Sequence, residues 1–162
     1  MTSIRLADSA DAPALAHLHV RSWQAAYRHI LTRDYLDSLD VGRRTDHWRR
    51  VLEEGARVLV AELDGLVGFC HAGESNDEGW GEVYSIYLLP EVWGRGHGHD
   101  LMEAGLGRLR DAGFDQALLW VLEGNDRARR FYERQGWVLA KRFQILEIGG
   151  TPVTEVRYEI EL

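Results

Sequence analysis

The sequence predicts an α/β fold in which a mixed central sheet of about six or seven strands is flanked by helices. Strand-like and helix-like stretches alternate along the chain, and no fixed-period repeat or Pro-, Gly- or Ser-rich linker divides them. The length of 162 residues also lies within the usual size of one domain. Residues 1–162 are therefore expected to form a single domain.

The N-terminal third is predicted to be mostly helical. A short strand at Ile4–Ala7 precedes a helix that Asp11 is expected to cap and that has Pro13 in its first turn. Two further helical stretches are predicted near Arg33–Leu39 and Arg43–Glu54.

The middle of the chain predicts three strands. Arg57–Leu63 and Leu66–His71 are joined by Asp64-Gly65, the strongest short signal for an antiparallel hairpin. A third strand, Glu82–Leu89, is expected to stop at Pro90, which cannot donate to a sheet ladder.

The remaining chain continues the alternation of helix and strand. The predicted elements are a helix at Gly98–Ala112 closed by Gly113, a strand at Ala117–Leu122, a helix at Asp126–Gln135 closed by Gly136, and strands at Trp137–Ile148 and Val153–Glu159.

Composition and charge argue against several classes of protein. The net charge of −7 argues against nucleic acid as a partner. Proteins that bind nucleic acids usually present a basic surface, which neutralises phosphates and releases their counterions. The longest apolar runs are far shorter than the roughly 20 residues that cross a bilayer, so no membrane span is expected. Residues 1–8 lack the pattern of a secretory signal, which favours a cytoplasmic location. The single cysteine, Cys70, is interpreted as a small buried residue.

A glycine-rich segment between a predicted strand and a predicted helix is the first candidate site. Residues 90–99 read PEVWGRGHGH. Glycine lets a ligand approach the backbone, and the first turn of a helix leaves N–H groups unpaired at its positive end. Together with the charge of Arg95 and the ring donors of His97 and His99, these features predict a pyrophosphate site. A plain glycine-rich turn is the alternative.

Two other phosphate-binding motifs do not fit this segment. A P-loop needs Gly-Lys followed by Ser or Thr, and the chain has no Gly-Lys pair. A dinucleotide site needs an acidic residue at the carboxyl end of the following strand, whereas Asp115 precedes its strand.

The stretch NDRARRFYERQGW, residues 125–137, follows the next predicted strand. With the glycine-rich segment before it, this stretch resembles the GNAT superfamily of N-acetyltransferases. The family's acetyl-CoA motif is Gln or Arg, two residues, Gly, one residue, then Gly or Ala, and it maps onto residues 93–98. Its next motif places Asn before a helix with Ala, Phe, Tyr and a closing Gly-Phe pair, which residues 125–137 match with Trp137 in the last place.

The resemblance implies a mostly antiparallel sheet, acetyl-CoA as cosubstrate, no metal, and a small-molecule or protein amine as acceptor. It also implies a set of coenzyme contacts. The backbone of Ile86 and Leu88 would face the pantetheine arm, as an added strand does. The other residues are Asn125, toward pantetheine, and Trp93, Gly94, Arg95, Gly96, His97, Gly98 and His99, around the pyrophosphate.

Two catalytic residues follow from the same resemblance. Glu82 would accept a proton from the amine, directly or through water, because alkylamines are protonated at neutral pH. Its alternative is a surface position at a strand edge. Tyr132 would protonate the leaving thiolate, since a phenol with a reference pKa near 10 keeps its proton at neutral pH. The alternative role of Tyr132 is aromatic packing. A backbone N–H near Leu88 would stabilise the oxyanion of the tetrahedral intermediate.

The sequence departs from the family pattern at Trp93, which stands where the family has Gln or Arg, so contact there is expected through the backbone. Arg127, Arg129 and Arg130 are interpreted as a solvated face, with contact to the coenzyme's 3′-phosphate as the alternative.

The acceptor site is expected near the N-terminal helix. That helix carries His17, His19, Trp23 and Tyr27, for which core packing is the alternative. A non-catalytic acetyl-CoA-binding sensor is the second interpretation of the whole chain, and a nucleotide-binding regulator is a third. A homodimer is left open.

Overall fold

The computed structural model describes residues 2–162, and Met1, the first residue of the predicted domain, lies outside the described residues. Within this range the chain forms seven strands and five α-helices. The strands are β1 (Ser3–Leu6), β2 (Val58–Glu62), β3 (Leu66–Glu74), β4 (Gly81–Leu88), β5 (Gln116–Leu122), β6 (Val138–Ile148) and β7 (Thr151–Glu161). The helices are α1 (Ala12–Tyr27), α2 (Arg33–Asp37), α3 (Val41–Glu53), α4 (His97–Asp111) and α5 (Asp126–Arg134).

The strands join in one sheet of order β1-β2-β3-β4-β5-β7-β6. Neighbouring strands are antiparallel except for β4 and β5, which run parallel. The predicted α/β fold, with a mixed and mostly antiparallel sheet flanked by helices, is confirmed. The hairpin predicted at Asp64-Gly65 is confirmed as well, because these residues connect β2 to its antiparallel partner β3.

Helices cover both faces of the sheet. On one face Leu101 and Leu106 of α4 share an apolar cluster with Cys70 of β3. On the other face Trp48 of α3 shares a cluster with Phe69 of β3 and with residues of α1. Consecutive strand residues point to opposite faces, which is why Phe69 and Cys70 enter different clusters. Cys70 is buried as predicted, and burial raises the pKa of its thiol to about 12, which leaves it inert as a nucleophile.

The parallel pair β4 and β5 is joined over a short length. Its paired positions are Gly81 with Ala117 and Glu82 with Leu118, at the beginnings of both strands. A β-bulge accompanies the separation: Val83 and Ser85 pair with consecutive residues of β3, so Tyr84 is an extra residue in β4. Such a bulge bends its strand. The two strands therefore diverge toward their carboxyl ends and open a wedge in the sheet.

Helices α4 and α5 both begin just beyond this wedge. Helix α4 starts at His97 after β4, and α5 starts at Asp126 after β5. In open α/β sheets, ligands bind outside the carboxyl ends of the strands, at the point where neighbouring connections leave in different directions. The fold thus places two helix N-termini at the mouth of one cleft.

The structure corrects the predicted cap of the first helix. Asp11 makes no side-chain capping bond to α1 and instead receives two hydrogen bonds from Arg5, at 2.7 and 2.9 Å. Those bonds are the main reason that the pKa of Asp11 is lowered. Asp8 is the capping residue here, and it caps a short 3₁₀ turn at Ser9–Asp11 that precedes α1. The sequence pattern missed the turn because Pro13 and Asp11 also satisfy the ordinary helix-start signal.

Candidate active site

A cavity of about 820 Å³ fills the wedge between β4 and β5. Its walls come from five parts of the chain: the inner side of α1, residues 83–88 of β4, the glycine-rich segment, residues 119–122 of β5, and α5. Residues from β6 and β7, Ile148 and Glu155, close one end. The cavity therefore joins every segment that the sequence predicted as a site, and it adds the C-terminal hairpin.

The edge of β4 that faces the cavity is open for hydrogen bonding. Beyond Glu82 the pairing with β5 ends, although β4 continues to Leu88. The Leu88 carbonyl accepts one hydrogen bond, from the indole N–H of Trp93 at 2.9 Å. An extended ligand can lie along the remainder of this edge as an added strand would. Ile86 and Leu88, which the resemblance expects to contact the pantetheine arm, both line the cavity.

The glycine-rich segment turns sharply at the mouth of the cavity. Gly96 has φ of 88° and is the N-cap of α4, and no side chain caps the helix there. A Cβ added at Gly96 would meet no atom within 4 Å. The first-turn N–H groups of α4 therefore face an open space beside a backbone conformation that favours glycine. This arrangement suits an anion.

Gly98 has a different role in the same segment. A Cβ added there would lie 3.2 Å from Cε2 of Phe131, which projects from α5. Glycine at this position therefore lets the first turn of α4 approach the Phe131 ring of α5 closely.

The arginines of α5 do not behave alike. The Arg127 guanidinium stacks over the Trp93 ring, 3.4 Å from its centroid, and lies in the cavity wall. Arg129 instead donates to the Tyr158 hydroxyl and to the Glu123 carbonyl. Arg130 is exposed. The interpretation as a solvated face is therefore wrong for Arg129, which is half-buried and hydrogen-bonded, whereas Arg127 is exposed to solvent and also stacks on Trp93.

Tyr132 and Asn125 are both buried in the cavity wall. Burial raises the pKa of the Tyr132 phenol, so the hydroxyl keeps its proton at neutral pH. Its ring packs against Phe131, Trp137 and Tyr158, which fix its position. The Asn125 side-chain oxygen caps α5 by accepting from the Ala128 N–H at 3.3 Å. Capping orients the Asn125 amide within the wall.

Glu82 lies beside the cavity, outside the residues that line it. Its carboxylate accepts a hydrogen bond from the Ser75 hydroxyl at 3.0 Å. Burial is the largest cause that raises its pKa, and the nearby charge of Asp77 adds to this effect.

Arg95 and His97 of the glycine-rich segment also lie outside the lining residues, and the His97 ring is hydrogen-bonded to the Thr2 hydroxyl. The other predicted site residues, Trp93, Gly94, Gly96, Gly98 and His99 among them, line the cavity.

The N-terminal helix contributes three of its four predicted acceptor-site residues. His19, Trp23 and Tyr27 line the cavity, whereas His17 is exposed to solvent. Burial lowers the pKa of His19 to about 3, and its Nδ1 accepts a hydrogen bond from the Trp48 indole at 3.3 Å. His19 is therefore neutral at physiological pH, which removes it as a source of positive charge.

Glu155 is the charged residue of the C-terminal hairpin that lines the cavity and that the sequence interpretation missed. Glu155 of β7 is the carboxylate among the cavity-lining side chains of residues 2–162. Glu155 shares one face of the strand with Val153 and Arg157, because side chains two residues apart in a strand point the same way. What the sequence does not reveal is that β7 lies between β5 and β6, next to the wedge.

Both candidate motifs lie within a segment that matches a known protein family. The family model described as Acetyltransferase (GNAT) family matches residues 13–137, which include both candidate motifs. The chain belongs to the GNAT acetyltransferase family. As a member of this family it is an acyltransferase enzyme, and the recognition made from residues 93–98 and 125–137 is confirmed.

Two similar relatives and one solved structure illustrate the likeness. An uncharacterized N-acetyltransferase, YuaI, of Bacillus subtilis (strain 168) is 36% identical over 128 residues, which cover 77% of this chain and 74% of that protein. An uncharacterized N-acetyltransferase of Archaeoglobus fulgidus is 33% identical over 142 residues, which cover 82% and 90%. The crystal structure of PaiA N-acetyltransferase from Thermoplasma acidophilum in complex with coenzyme A superposes with a TM-score of 0.80 at 19% identity, covering 100% and 99% of the two chains.

Residues 2–162 contain neither a candidate metal-binding cluster nor a candidate membrane-spanning helix. In the part of the chain from residue 2 onward, no group of three or more His, Cys, Asp and Glu side chains is arranged to hold a metal ion. No helix of the same residues is long and apolar enough to cross a membrane.

Proposed function

We propose that the protein transfers the acetyl group of acetyl-CoA to a primary amine, and that residues 1–162 act as a single acetyltransferase domain. The observation that carries this proposal is the wedge between β4 and β5, which ends at two helix N-termini. The cavity has a free strand edge for an amide-containing arm and an anion site at its mouth. Acetyl-CoA has both groups, a pantetheine arm with two amides and a pyrophosphate.

The phosphates are bound at the glycine-rich segment. Backbone N–H groups of residues 94–99 surround the pyrophosphate, and Arg95, His97 and His99 contribute charge or donors from its rim. Arg127, held on the Trp93 ring, brings a permanent cation to the same mouth. It offsets the loss of Gln or Arg at position 93, so the coenzyme meets a positive side chain there after all.

The thioester lies deeper in the wedge, between β4 and Tyr132. Glu82 removes a proton from the acceptor amine through a water molecule, since its carboxylate stands just outside the cavity. The amine nitrogen attacks the carbonyl carbon, and a β4 backbone N–H near Leu88 stabilises the oxyanion. The C–S bond then breaks as the Tyr132 hydroxyl gives its proton to the leaving thiolate. The new amide nitrogen loses its second proton through water to the Tyr132 phenolate, which restores the hydroxyl and leaves the neutral amide and the free thiol of CoA.

Acetyl-CoA should stabilise the folded protein in a thermal melt. A ligand that binds only the native state shifts unfolding by mass action, and the wedge exists only in the folded sheet. The measurement is the melting temperature of the wild-type protein with and without millimolar acetyl-CoA, with adenosine as a matched addition that lacks the pyrophosphate and pantetheine. An unchanged melting temperature would remove the coenzyme from this cavity.

Glu82→Gln should lower turnover most at the acid end of the pH range. Because burial raises the pKa of Glu82, its carboxylate forms at a higher pH than that of an ordinary glutamate. The wild-type rate should itself fall as pH drops through that pKa, so the deficit of the variant should be largest just above it, where the wild type still has its base and the amine is protonated. Raising the pH supplies free amine that needs no base, so the variant should recover part of its rate. Initial rates from about pH 6 to 9 test this. Glu78→Gln, an exposed glutamate in the preceding loop, is the control. A loss in Glu82→Gln that does not vary with pH would exclude the base.

A further inference from the structure

The end of the cavity away from the glycine-rich segment is acidic and aromatic. It is formed by Trp23 and Tyr27 of α1, Tyr87 of β4, and Glu155 of β7, which we call the acceptor end. Glu155 faces it because β7 places Val153, Glu155 and Arg157 on one side, and Val153 packs in the same apolar cluster as Tyr27. The cavity mouth, by contrast, is lined by Arg127, Arg134 and His99.

The negative charge of Glu155 has no cationic partner among residues 2–162. One carboxylate oxygen accepts a hydrogen bond from the Gln144 amide at 2.8 Å, which positions the group without neutralising it. None of the ion pairs formed by the described residues includes Glu155. Arg157, the nearest cation on its strand face, is engaged by Asp77 and Glu159. A partly buried carboxylate without a counter-ion attracts a cation from solution.

Three aromatic side chains line the same end of the cavity as that carboxylate. The Tyr27 and Tyr87 hydroxyls are hydrogen-bonded to each other at 2.7 Å, and the Trp23 ring meets Tyr27 edge to face at 5.1 Å. Burial is the main cause that raises the pKa of both tyrosines, and the charge of Glu155 adds to it, so both phenols stay neutral. Neutral aromatic rings beside a carboxylate favour an organic ammonium ion through cation–π contacts.

The acceptor end also disfavours anions. The Lys and Arg side chains that line the cavity, Arg127 and Arg134, project from α5 at the mouth, and His19 is neutral. A carboxylate on the acceptor would therefore meet Glu155 without a compensating cation. The lining is thus positive where the phosphates of the acyl donor would lie and negative where its thioester would point.

We propose that Glu155, Trp23, Tyr27 and Tyr87 bind the acceptor as its ammonium ion, and that the acceptors are apolar primary amines without a carboxylate next to the nitrogen. This proposal rests on the proposed acetyl transfer and specifies its substrate class. Glu155 holds the ammonium until the proton is lost, and the aromatic rings contact its apolar body.

Calorimetric titration of the CoA-saturated protein with four probes tests the proposal. The cationic probes are 2-phenylethylamine and hexylamine; phenylalanine adds a carboxylate and 2-phenylethanol removes the charge. We expect at least one of the amines to bind, and phenylalanine and 2-phenylethanol to bind at least about tenfold more weakly, the worth of one charge-assisted hydrogen bond. Binding of neither amine, or equal binding of phenylalanine, would overturn the proposal.

The variant Glu155→Gln isolates the carboxylate. It should weaken amine binding at least about tenfold while leaving acetyl-CoA affinity within about twofold, because the coenzyme contacts lie at the other end. Glu161→Gln, an exposed glutamate on the same strand, should bind amines as the wild type does. Equal losses in both variants would overturn the role of Glu155. If acetyl-CoA does not bind the wild type, the proposed function fails. If acetyl-CoA binds but Glu155→Gln leaves the affinity for amines unchanged, only this inference fails.

Discussion

Tyr132→Phe is expected to reduce the single-turnover rate of acetyl transfer by about 10²–10⁴-fold, the usual worth of a positioned general acid. The substitution removes one hydroxyl and keeps the ring that packs against Phe131 and Trp137. Burial raises the pKa of this phenol, so the wild-type group is protonated throughout the neutral range. Coenzyme affinity should stay within a few fold, because the phosphate contacts lie elsewhere.

The neighbouring Tyr158 provides a matched control. Its ring packs against Tyr132 with centroids 6.1 Å apart, but its hydroxyl is bound to Arg129 and Glu133 and is absent from the cavity wall. Tyr158→Phe should lower stability modestly and leave chemistry near normal. Rapid-quench measurement of the first turnover is needed, since slow product release could hide the effect in steady-state rates. A rate near the wild-type value in Tyr132→Phe would assign the proton to water.

Gly96→Val should abolish the rise in melting temperature that millimolar acetyl-CoA produces. Gly96 has φ of 88°, and its missing Cβ leaves an open space at the mouth of the cavity. A branched side chain there projects into the position of the pyrophosphate and also strains the backbone. The loss of the coenzyme effect should therefore exceed any loss of stability in the free protein.

Gly113→Val separates these two effects. Gly113 has φ of 95° at the end of α4, a Cβ there would meet nothing within 4 Å, and the residue does not line the cavity. It should show a similar drop in melting temperature without ligand and keep the full rise with acetyl-CoA. If Gly96→Val retains a wild-type rise, the phosphates are bound elsewhere.

Local signals in the sequence predicted most of the fold. The Asp64-Gly65 hairpin and the strand ending before Pro90 depend on short-range backbone preferences that the sheet does not override. The glycine-rich segment and the Asn125 cap are also local, because each depends on the residues next to a helix N-terminus. Their positions between strand and helix were therefore predictable from the sequence alone.

The wedge itself could not be predicted from local patterns. It depends on the bulge at Tyr84 and on the two-position pairing of β4 with β5, both of which are set by contacts between strands distant in sequence. The same limit applies to Glu155, whose place beside the cavity follows from the insertion of β7 between β5 and β6. The stacking of Arg127 on Trp93 could not be predicted either, because the two residues lie on segments that are distant in sequence.

The transfer reaction itself tests the proposed catalysis most directly. Wild-type protein is incubated with acetyl-CoA and a panel of primary amines that includes 2-phenylethylamine. The masses of the amines are then measured by mass spectrometry, and the free thiol that is released is quantified. We predict that at least one amine gains a single acetyl group and that thiol appears in equal amount, only when both substrates are present. Stable binding of acetyl-CoA with no acetylated amine in the panel would contradict catalysis and would favour a non-catalytic acetyl-CoA sensor.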